Sequence, residues 1–198
     1  MKRLFDIILS LIALAVFLPF GLLIALVVVC DTKGQVFYRQ TRVGRHNMDF
    51  KLYKFRTMYE ESDHGSLITV GSHDTRITKS GLFLRKYKID EFPQFINILK
   101  GEMSIVGPRP EVRKYVDMYT PEQMKVLSVR PGLTDYASIR YVDENALLAA
   151  SDNPEQTYIK EIMPDKLALN LKYIQEQSLW VDMKIILKTF TAIIHRGR

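Results

Sequence analysis

The sequence predicts an α+β fold that is mostly helical, with one small β-hairpin, an N-terminal re-entrant membrane helix and interfacial amphipathic helices. Three observations predict it: an uncharged apolar segment, two short strand-like stretches around a turn, and apolar residues at helical spacing over much of the remainder. The 198 residues, 47% of them hydrophobic, suit one compact unit plus an attachment segment. We therefore expect an anchor at 1–32 and a membrane-associated cytoplasmic domain at 33–198.

The anchor prediction depends on residues 11–30, which carry no charge. About twenty residues at ~1.5 Å each would just cross a hydrocarbon layer of ~30 Å, so a spanning helix is one interpretation. Pro19 lies near the middle, where its missing N–H predicts a kink. Basic residues stand on both sides of the segment, so a span would leave positive charge on the wrong side of the membrane. These two features favour a re-entrant helix on the cytoplasmic face, and the single Cys30 fits a reducing compartment.

The charge of the chain predicts an anionic partner. A net charge of +6 and a pI near 9.3 are compatible with nucleic acid, an acidic membrane surface or a phosphorylated substrate. Residues 35–38 and 50–58 have strand character around a turn at 44–47. The two-residue period of the second strand puts Lys54 and Arg56 on one face, where they could contact phosphate. A solvated basic edge strand is the alternative.

An acidic pair, Asp90 and Glu91, precedes a helix that apolar spacing predicts over 92–99. Asp90 is expected as its N-cap and Gly101 as its stop, so both carboxylates would lie at the positive end of the helix dipole. Two neighbouring carboxylates can bind a hard divalent cation, and one can attack a phosphorus atom whose charge the metal has neutralised. A capping Asp followed by a dipole-favoured Glu is the alternative on local grounds.

Three arginines are candidate phosphate ligands. A short strand at 103–106 ends in GPRP at 107–110, whose prolines restrict the backbone on both sides of Arg109 and prepare its guanidinium for bidentate contact. Arg130 also precedes a proline, although an ordinary turn would explain that position. Arg85 lies on a short helix at 81–87, with Lys88 leading toward the acidic pair, and a solvated helix face is the alternative there.

At these residues the chain resembles the bacterial monotopic phosphoglycosyl transferases, also called bacterial sugar transferases. The matching signatures run in order along nearly the whole chain: KFRTM at 54–58, RITK at 76–79, DEFPQ at 90–94, GEMSIVGPRP at 101–110 and VRPGLT at 129–134. The resemblance implies transfer of a phospho-sugar from a nucleotide diphosphate sugar, a UDP-sugar, to polyprenyl (undecaprenyl) phosphate with release of UMP. It also implies a location at the cytoplasmic face of the bacterial inner membrane.

The resemblance assigns roles to the acidic pair. Asp90 would be the nucleophile that forms a covalent phospho-sugar intermediate, and Glu91 would bind Mg²⁺ or handle a proton, with Mg²⁺ held by Asp90 and Glu91. The implied partners are the donor, the polyprenyl phosphate and membrane lipids rather than nucleic acid. The oligomeric state is left open, a homodimer included.

The region after the arginines is less regular. Residues 133–142 are predicted as a strand or extended loop, with Tyr136 able to stack on uracil and Arg140 among the substrate-binding residues; a buried aromatic is the alternative for Tyr136. Many family members have GWAQ where this chain has DYAS at 135–138, so their sugar or nucleotide specificity is not transferred.

Local signals organise the other segments. We expect a polar surface loop within 60–80, a helix at 111–119 and a capping box at 120–123. Residues 145–177 are predicted as helical with breaks at Pro154 and Pro164. In an apolar helix over 179–194, Trp180 and two lysines, Lys184 and Lys188, suit an interfacial position, although packing on the anchor would use the same residues.

Two other functions stay open. A non-enzymatic, membrane-tethered module could bind anionic lipid or nucleic acid through Arg39, Arg42 and Arg45. A metal-dependent hydrolase of diphosphate sugars could use the same acidic pair without a lipid acceptor.

Overall fold

A computed structural model of the chain describes residues 1–59 and 74–196, so most of the loop expected within 60–80 lies outside the described residues. The helices are α1 (Lys2–Asp31), α2 (Lys79–Lys86), α3 (Gln94–Lys100), α4 (Arg113–Val116), α5 (Tyr136–Arg140), α6 (Glu144–Ala149), α7 (Pro154–Thr157), α8 (Met163–Glu176) and α9 (Leu179–Arg196). The strands are β1 (Phe37–Val43), β2 (Asp49–Phe55), β3 (Ser104–Val106) and β4 (Gly132–Thr134). The small hairpin in a mostly helical chain is confirmed.

Helix α1 is continuous and includes Pro19, so the proline does not divide the anchor into two helices. One side of α1 is packed, with Asp6, Ser10 and Val28 buried, and the opposite side exposes a row of apolar residues that includes Leu22. Within the described ranges, α1 is the one helix whose length and composition would allow it to cross a membrane. Its 30 residues correspond to a length of about 45 Å.

Polar side chains in the first turns of α1 fasten this helix to the domain. The Asp6 carboxylate accepts hydrogen bonds from the Ser104 hydroxyl at 2.9 Å and from a backbone N–H of β3 at 3.1 Å. Lys2 forms an ion pair with the buried Asp182 of α9, and Arg3 donates to two carbonyls near the end of α3, at 2.6 and 3.0 Å. The anchor therefore contributes to the domain core.

The hairpin pairs β1 and β2 in antiparallel register, with Gln40 opposite Leu52. A 3₁₀ turn at Arg45–Asn47 joins the strands, and His46 and Asn47 adopt positive φ angles of 57° and 61° there. Strand β1 continues to Val43, five residues beyond the end that the sequence predicts, because its pairing partner β2 extends over the same length. The hairpin brings Lys54 toward the acidic pair.

Strands β3 and β4 form a separate parallel pair, which confirms the short strand expected at 103–106. Their ends approach so closely that a Cβ atom on Gly132 would lie 2.1 Å from the backbone nitrogen of Gly107. The strand or loop expected over 133–142 is wrong beyond β4. Asp135 ends it, since its carboxylate accepts from the backbone N–H of Ser138 at 2.5 Å and begins α5.

The remaining helices enclose two apolar cores. One core lies among α4, α6 and α8 around Leu148 and Leu167, and the other joins α3, β3, α8 and α9 around Ile98 and Ile185. The capping box is confirmed, because the side chains of Thr120 and Gln123 each bond the other's backbone N–H, at 3.3 and 2.9 Å.

The predicted break at Pro154 is confirmed, because Pro154 begins α7. The predicted break at Pro164 is wrong, since a π-helical segment at Tyr158–Ile162 joins α7 to α8 without interruption and Pro164 is accommodated in the first turn of α8. Helix α9 buries Ile185 and exposes an apolar stripe at helical spacing, formed by Trp180, Met183, Leu187, Phe190 and Ile194. This amphipathic pattern is compatible with an interfacial position, which stays a prediction.

Candidate active site

Asp90 and Glu91 lie in a single 3₁₀ turn at Ile89–Glu91, and α3 begins only at Gln94, after Pro93. Asp90 is therefore not the N-cap of α3, and the expected helix-dipole site is wrong. The chain turns because Lys88 adopts a left-handed conformation with φ 58°, after which the 3₁₀ turn and Pro93 lead into the helix. Gly101, with φ 86°, ends α3 as expected.

The Asp90 carboxylate is almost covered, with 5% of the residue exposed. Its Oδ1 is buried without a hydrogen-bond partner among the residues that the structure describes. Burial raises the pKa of Asp90, and the Glu91 charge adds to the rise, against the attraction of Lys54, Lys88 and Arg85. A carboxylate with an unsatisfied oxygen among cations is suited to accept a ligand or to act as a nucleophile.

Glu91 is held by two cations. Its two oxygens accept hydrogen bonds from the guanidinium of Arg109, one of them at 3.2 Å, and Lys54 Nζ lies 3.1 Å from Oε1. Burial alone would raise the pKa of Glu91, but Arg109, Lys54 and Lys88 lower it well below the ordinary value. The Glu91 carboxylate in turn raises the pKa of Arg109. Two carboxyl groups in adjacent positions thus have opposite pKa shifts.

The position of Arg109 is fixed by the backbone around it. The N–H of Gly107 donates to Thr134 O at 3.0 Å, and the N–H of Gly132 donates to Pro108 O at 2.9 Å. The N–H of Arg109 itself donates to Oδ2 of Asp135 at 3.1 Å, and Asp135 is fully buried. Asp135 therefore joins the arginine loop to α5. Sequence reasoning missed this role, although an Asp three residues before Ser138 is a recognisable helix-start pattern.

Arg85 approaches the acidic pair from α2. Its Nε donates to the Thr57 hydroxyl at 2.8 Å, and its charge favours ionisation of Asp90. Burial lowers the pKa of Arg85, whereas Asp90 and Asp74 oppose that effect. Lys54, Arg85 and Arg109 are thus the predicted phosphate ligands that the structure brings to the acidic pair.

Arg56 and Arg130 have other partners. The Arg56 side chain is buried at the C-terminal end of α1 and donates to the carbonyl oxygens of Val28, Thr32, Lys33 and Gln35. Arg130 Nε donates to the carbonyl of Gly101 at 2.8 Å, just after α3. In this conformation both guanidinium groups satisfy helix-end carbonyls, so a role in substrate binding stays a prediction for each.

Tyr136 and Arg140 share an open depression of about 270 Å³ with Lys172 and Lys188. The Tyr136 hydroxyl donates to Glu176 at 3.3 Å, and its ring packs edge-on against Tyr173. Arg140 pairs with Asp165 at 3.1 Å. These two candidates therefore line an open depression bordered by α5, α8 and α9, and their role in substrate binding stays a prediction.

The basic hairpin residues are partly engaged inside the protein. Arg42 donates to the carbonyl of Pro110 and to the Glu111 carboxylate, both at 3.1 Å, and Arg45 donates to Ser128 O at 3.0 Å. These contacts hold the segment after Arg109. They leave fewer free charges for the alternative of a basic module that binds nucleic acid or lipid through this strand.

The described residues offer few side chains that could bind Mg²⁺. Across residues 1–59 and 74–196, no group of three or more His, Cys, Asp or Glu side chains is arranged to hold a metal ion. Mg²⁺ in phosphoryl-transfer sites is, however, commonly bound through one or two carboxylates and the substrate phosphates. The unpartnered Oδ1 of Asp90 fits that arrangement, and Glu91 fits once it leaves Arg109. The acidic pair therefore suits a metal that enters with a diphosphate.

Comparison with known proteins gives consistent relatives. A family model described as "Bacterial sugar transferase" matches residues 1–196. The chain is 36% identical over 196 residues to "UDP-N-acetylgalactosamine-undecaprenyl-phosphate N-acetylgalactosaminephosphotransferase" of Aeromonas hydrophila, covering 98% of this chain and 43% of the relative. It is 35% identical over 196 residues to "UDP-glucose:undecaprenyl-phosphate glucose-1-phosphate transferase" of Caulobacter vibrioides, covering 98% and 69%.

A relative of similar size also matches. The chain is 36% identical over 205 residues to "Exopolysaccharide production protein PSS" of Rhizobium leguminosarum bv. phaseoli, covering 100% of this chain and 97% of the relative. By contrast, it spans less than half of the Aeromonas protein. The family model covers residues 1–196, so it includes the signatures around Asp90 and Arg109. The chain therefore belongs to the bacterial sugar transferase family.

Proposed function

We propose that this protein transfers a phospho-sugar from a UDP-sugar to undecaprenyl phosphate or a similar polyprenyl phosphate, releasing UMP. The observation that carries the proposal is the buried Asp90, whose Oδ1 has no hydrogen-bond partner among the described residues and whose negative charge is favoured by Lys54, Lys88 and Arg85. Relatives that match almost all of this chain are named as UDP-sugar transferases acting on undecaprenyl phosphate. A carboxylate among cations is the chemistry that such a transfer requires.

The reaction proceeds in two displacements. An Asp90 oxygen attacks the phosphorus that bears the sugar, the bond from that phosphorus to the bridging oxygen breaks, and UMP leaves with that oxygen. A phosphate oxygen of the polyprenyl acceptor then attacks the aspartyl-bound phosphorus. The bond to Asp90 breaks, the carboxylate is restored and the product is a polyprenyl diphosphate sugar. One site can therefore serve a soluble donor and a lipid acceptor in turn.

Donor binding exchanges ionic partners. The Glu91 carboxylate binds both Arg109 and Lys54. The diphosphate of the sugar donor has oxygens that can bind the same two cations. When the diphosphate takes these cations, Glu91 becomes free for Mg²⁺ or for a proton. Mg²⁺ bound by Asp90 and Glu91 would neutralise charge on the diphosphate. The Arg109 guanidinium stays cationic in both arrangements, because an arginine side chain is not deprotonated in proteins.

The transfer also requires the acidic turn to open. With 5% of Asp90 exposed, the carboxylate is covered in the conformation described. The partner exchange at Glu91 supplies a driving force, because displacing this side chain loosens the turn that holds Asp90. Donor binding and exposure of the nucleophile would then occur together, which limits attack by water.

Packing of α1 supports a monotopic position at the cytoplasmic face of the inner membrane. Asp6 near one end and Val28 near the other are both buried against the same domain. A straight crossing would pull this charged domain into the hydrocarbon layer, where ionised groups are costly. A re-entrant α1, with α9 lying at the interface through its exposed stripe, keeps Asp90 near headgroup depth, where the acceptor phosphate is found.

The decisive experiment uses the full-length protein with UDP-sugars, Mg²⁺ and polyprenyl phosphate. We expect UMP release and a phospho-sugar mass on the peptide that contains Asp90, formed without acceptor and lost when acceptor is added. Asp90→Asn should abolish both signals, whereas Asp182→Asn, a matched change remote in sequence, should retain the adduct in the folded fraction. UMP release without an adduct, or sugar phosphate released into water without acceptor, would instead indicate direct transfer or hydrolysis.

A further inference from the structure

The acidic turn has little structure of its own. Its backbone bonds are those from Glu91 N to Lys88 O and from Phe92 N to Ile89 O, both at 3.2 Å. A single 3₁₀ turn has poor hydrogen-bond geometry, and the left-handed Lys88 before it is an unfavourable conformation for a non-glycine residue. The position of Asp90 and Glu91 therefore depends on the ionic contacts of Glu91 with Arg109 and Lys54 and on what the flanking side chains, Ile89 and Phe92, pack against.

Phe92 packs directly on the anchor helix, and Ile89 belongs to an apolar cluster that includes residues of that helix. The ring of Phe92 stacks on the ring of Phe17 of α1, with centroids 3.8 Å apart and planes 15° apart. Ile89, on the other side of the pair, joins an apolar cluster around Val28 of α1 and Phe55 of β2. Phe17 packs against this cluster as well. The acidic turn therefore contacts α1 through the Phe92 ring, and Ile89 lies in the same apolar cluster as Phe17.

The ring of Phe17 is also held in place within α1. A Cβ atom on Gly21 would lie 3.3 Å from that ring, so the ring lies over a position without a side chain, one turn further along the helix. Pro19 lies between them and leaves the carbonyl four residues earlier without its usual helical donor. The stacking contact therefore lies close to a missing hydrogen bond in the backbone of α1.

We propose that Phe17 is a positioning residue through which the membrane seat of α1 sets the geometry of Asp90 and Glu91. Apolar residues on the side of α1 that faces away from Phe17, including Leu18 and Leu22, are exposed, at 63% and 66%. Lipid that contacts them would shift α1 about Pro19, and the Phe17–Phe92 stack transmits the shift to the acidic turn. The transferase site is then competent when the helix is seated in a bilayer. This inference rests on the proposed function.

The test compares Phe17→Leu, Phe17→Tyr and Phe20→Leu in the full-length protein, in nanodiscs of phosphatidylethanolamine and phosphatidylglycerol. Leucine keeps an apolar side chain at 17 but removes the ring, tyrosine keeps the ring, and Phe20→Leu makes the same change at an exposed position. We expect Phe17→Leu to lower kcat about two- to tenfold, the range that an aromatic pair supports, with little change in donor KM. Phe17→Tyr should restore kcat, and Phe20→Leu should match the wild type.

A second measurement does not need turnover. Amide hydrogen exchange of the peptide that spans residues 88–92 should become about two- to tenfold faster in Phe17→Leu and stay unchanged in Phe20→Leu. Exchange in β3 and β4, which Phe17 does not contact among the contacts described, should not change. Equal exchange in the two variants, or a uniform increase along the chain, overturns the proposal. If the wild type transfers no phospho-sugar from any donor, the proposed function fails, and the exchange comparison still decides the coupling.

Discussion

Two isosteric substitutions at adjacent positions, Asp90→Asn and Glu91→Gln, should change stability in opposite directions. Burial and the Glu91 charge raise the pKa of Asp90, so the folded protein disfavours its charged form. Despite burial, Arg109 and Lys54 lower the pKa of Glu91, so the folded protein favours that charge. A neutral amide should therefore stabilise the fold at position 90 and destabilise it at position 91.

The magnitudes follow from the partners of each group. Removing one member of a buried ion pair costs about 3–5 kcal/mol, but the side chains of Arg109 and Lys54 are 29% and 20% exposed and regain some water. We expect Glu91→Gln to cost about 2–3 kcal/mol. The buried Asp90 carboxylate leaves one oxygen unsatisfied, which costs roughly 1–3 kcal/mol. Because an amide at position 90 also needs hydrogen-bond partners, it recovers only part of this cost, and we expect Asp90→Asn to stabilise the fold by about 1 kcal/mol. At this chain length, each kcal/mol corresponds to about 2–4 °C in Tm.

The dependence on pH has a definite sign. The charge of Asp90 opposes folding above its raised pKa, and this penalty disappears as the pH falls through that pKa toward the ordinary value of 3.8. The advantage of Asp90→Asn should therefore be largest near neutral pH and shrink on acidification. The stability that Glu91 contributes is complete above its ordinary pKa of 4.5 and is lost only as the pH falls through its lowered pKa.

Thermal unfolding of the detergent-solubilised full-length variants at several pH values measures these effects. Asp182→Asn is the control for the chemical change, because Asp182 is 1% exposed and has Lys2 and Tyr173 as partners. This control should lower Tm. If Asp90→Asn lowers Tm in the same way, or gains its advantage only in acid, the electrostatic reasoning at the acidic turn is refuted.

Three further predictions concern residues around the site. Arg56→Gln should lower Tm by several degrees in thermal unfolding, since it removes hydrogen-bond donors from the end of α1, while the KM for the sugar donor stays constant in the folded fraction. Arg109→Lys should instead raise that KM and leave Tm nearly unchanged. A raised KM in Arg56→Gln would restore the predicted role of Arg56 as a phosphate ligand. Asp135→Asn should reduce kcat/KM about tenfold in steady-state kinetics, because the Arg109 loop loses a charged acceptor; unchanged kinetics would argue against positioning by Asp135. Lys2→Met should cost about 2–3 kcal/mol in denaturant unfolding by leaving a carboxylate buried without its cation, and wild-type stability would contradict the importance of that ion pair.

Local signals predicted the elements that depend on neighbouring residues. The hairpin, the strand before GPRP, the helix stop at Gly101 and the capping box at 120–123 were all recognisable, because each is specified within a few positions. The local signal failed at Asp90. An acid before an apolar helical run resembles an N-cap, but a left-handed Lys88 and Pro93 move the start of α3 to Gln94.

Contacts between distant segments decided what each arginine does. Arg56 and Arg109 are both arginines within family signatures, but they have different partners. Arg56 donates to carbonyl oxygens at the end of α1, whereas Arg109 binds Glu91. Residue type predicts a cation but not its partner, since those partners lie 18 to 28 positions away in the chain. The parallel pairing of β3 with β4, which positions the Arg109 loop, likewise required the tertiary structure.

The ion pair between Lys2 and Asp182 has a consequence for biosynthesis. These residues are separated by 180 positions, so the ribosome must add nearly all of them before the lysine can meet its partner. Helix α1 is synthesised first, so the C-terminal segments must return to it late in synthesis. If α1 were replaced by an unrelated apolar helix, these later segments would lose the ion pair and the buried contacts through which they pack on α1.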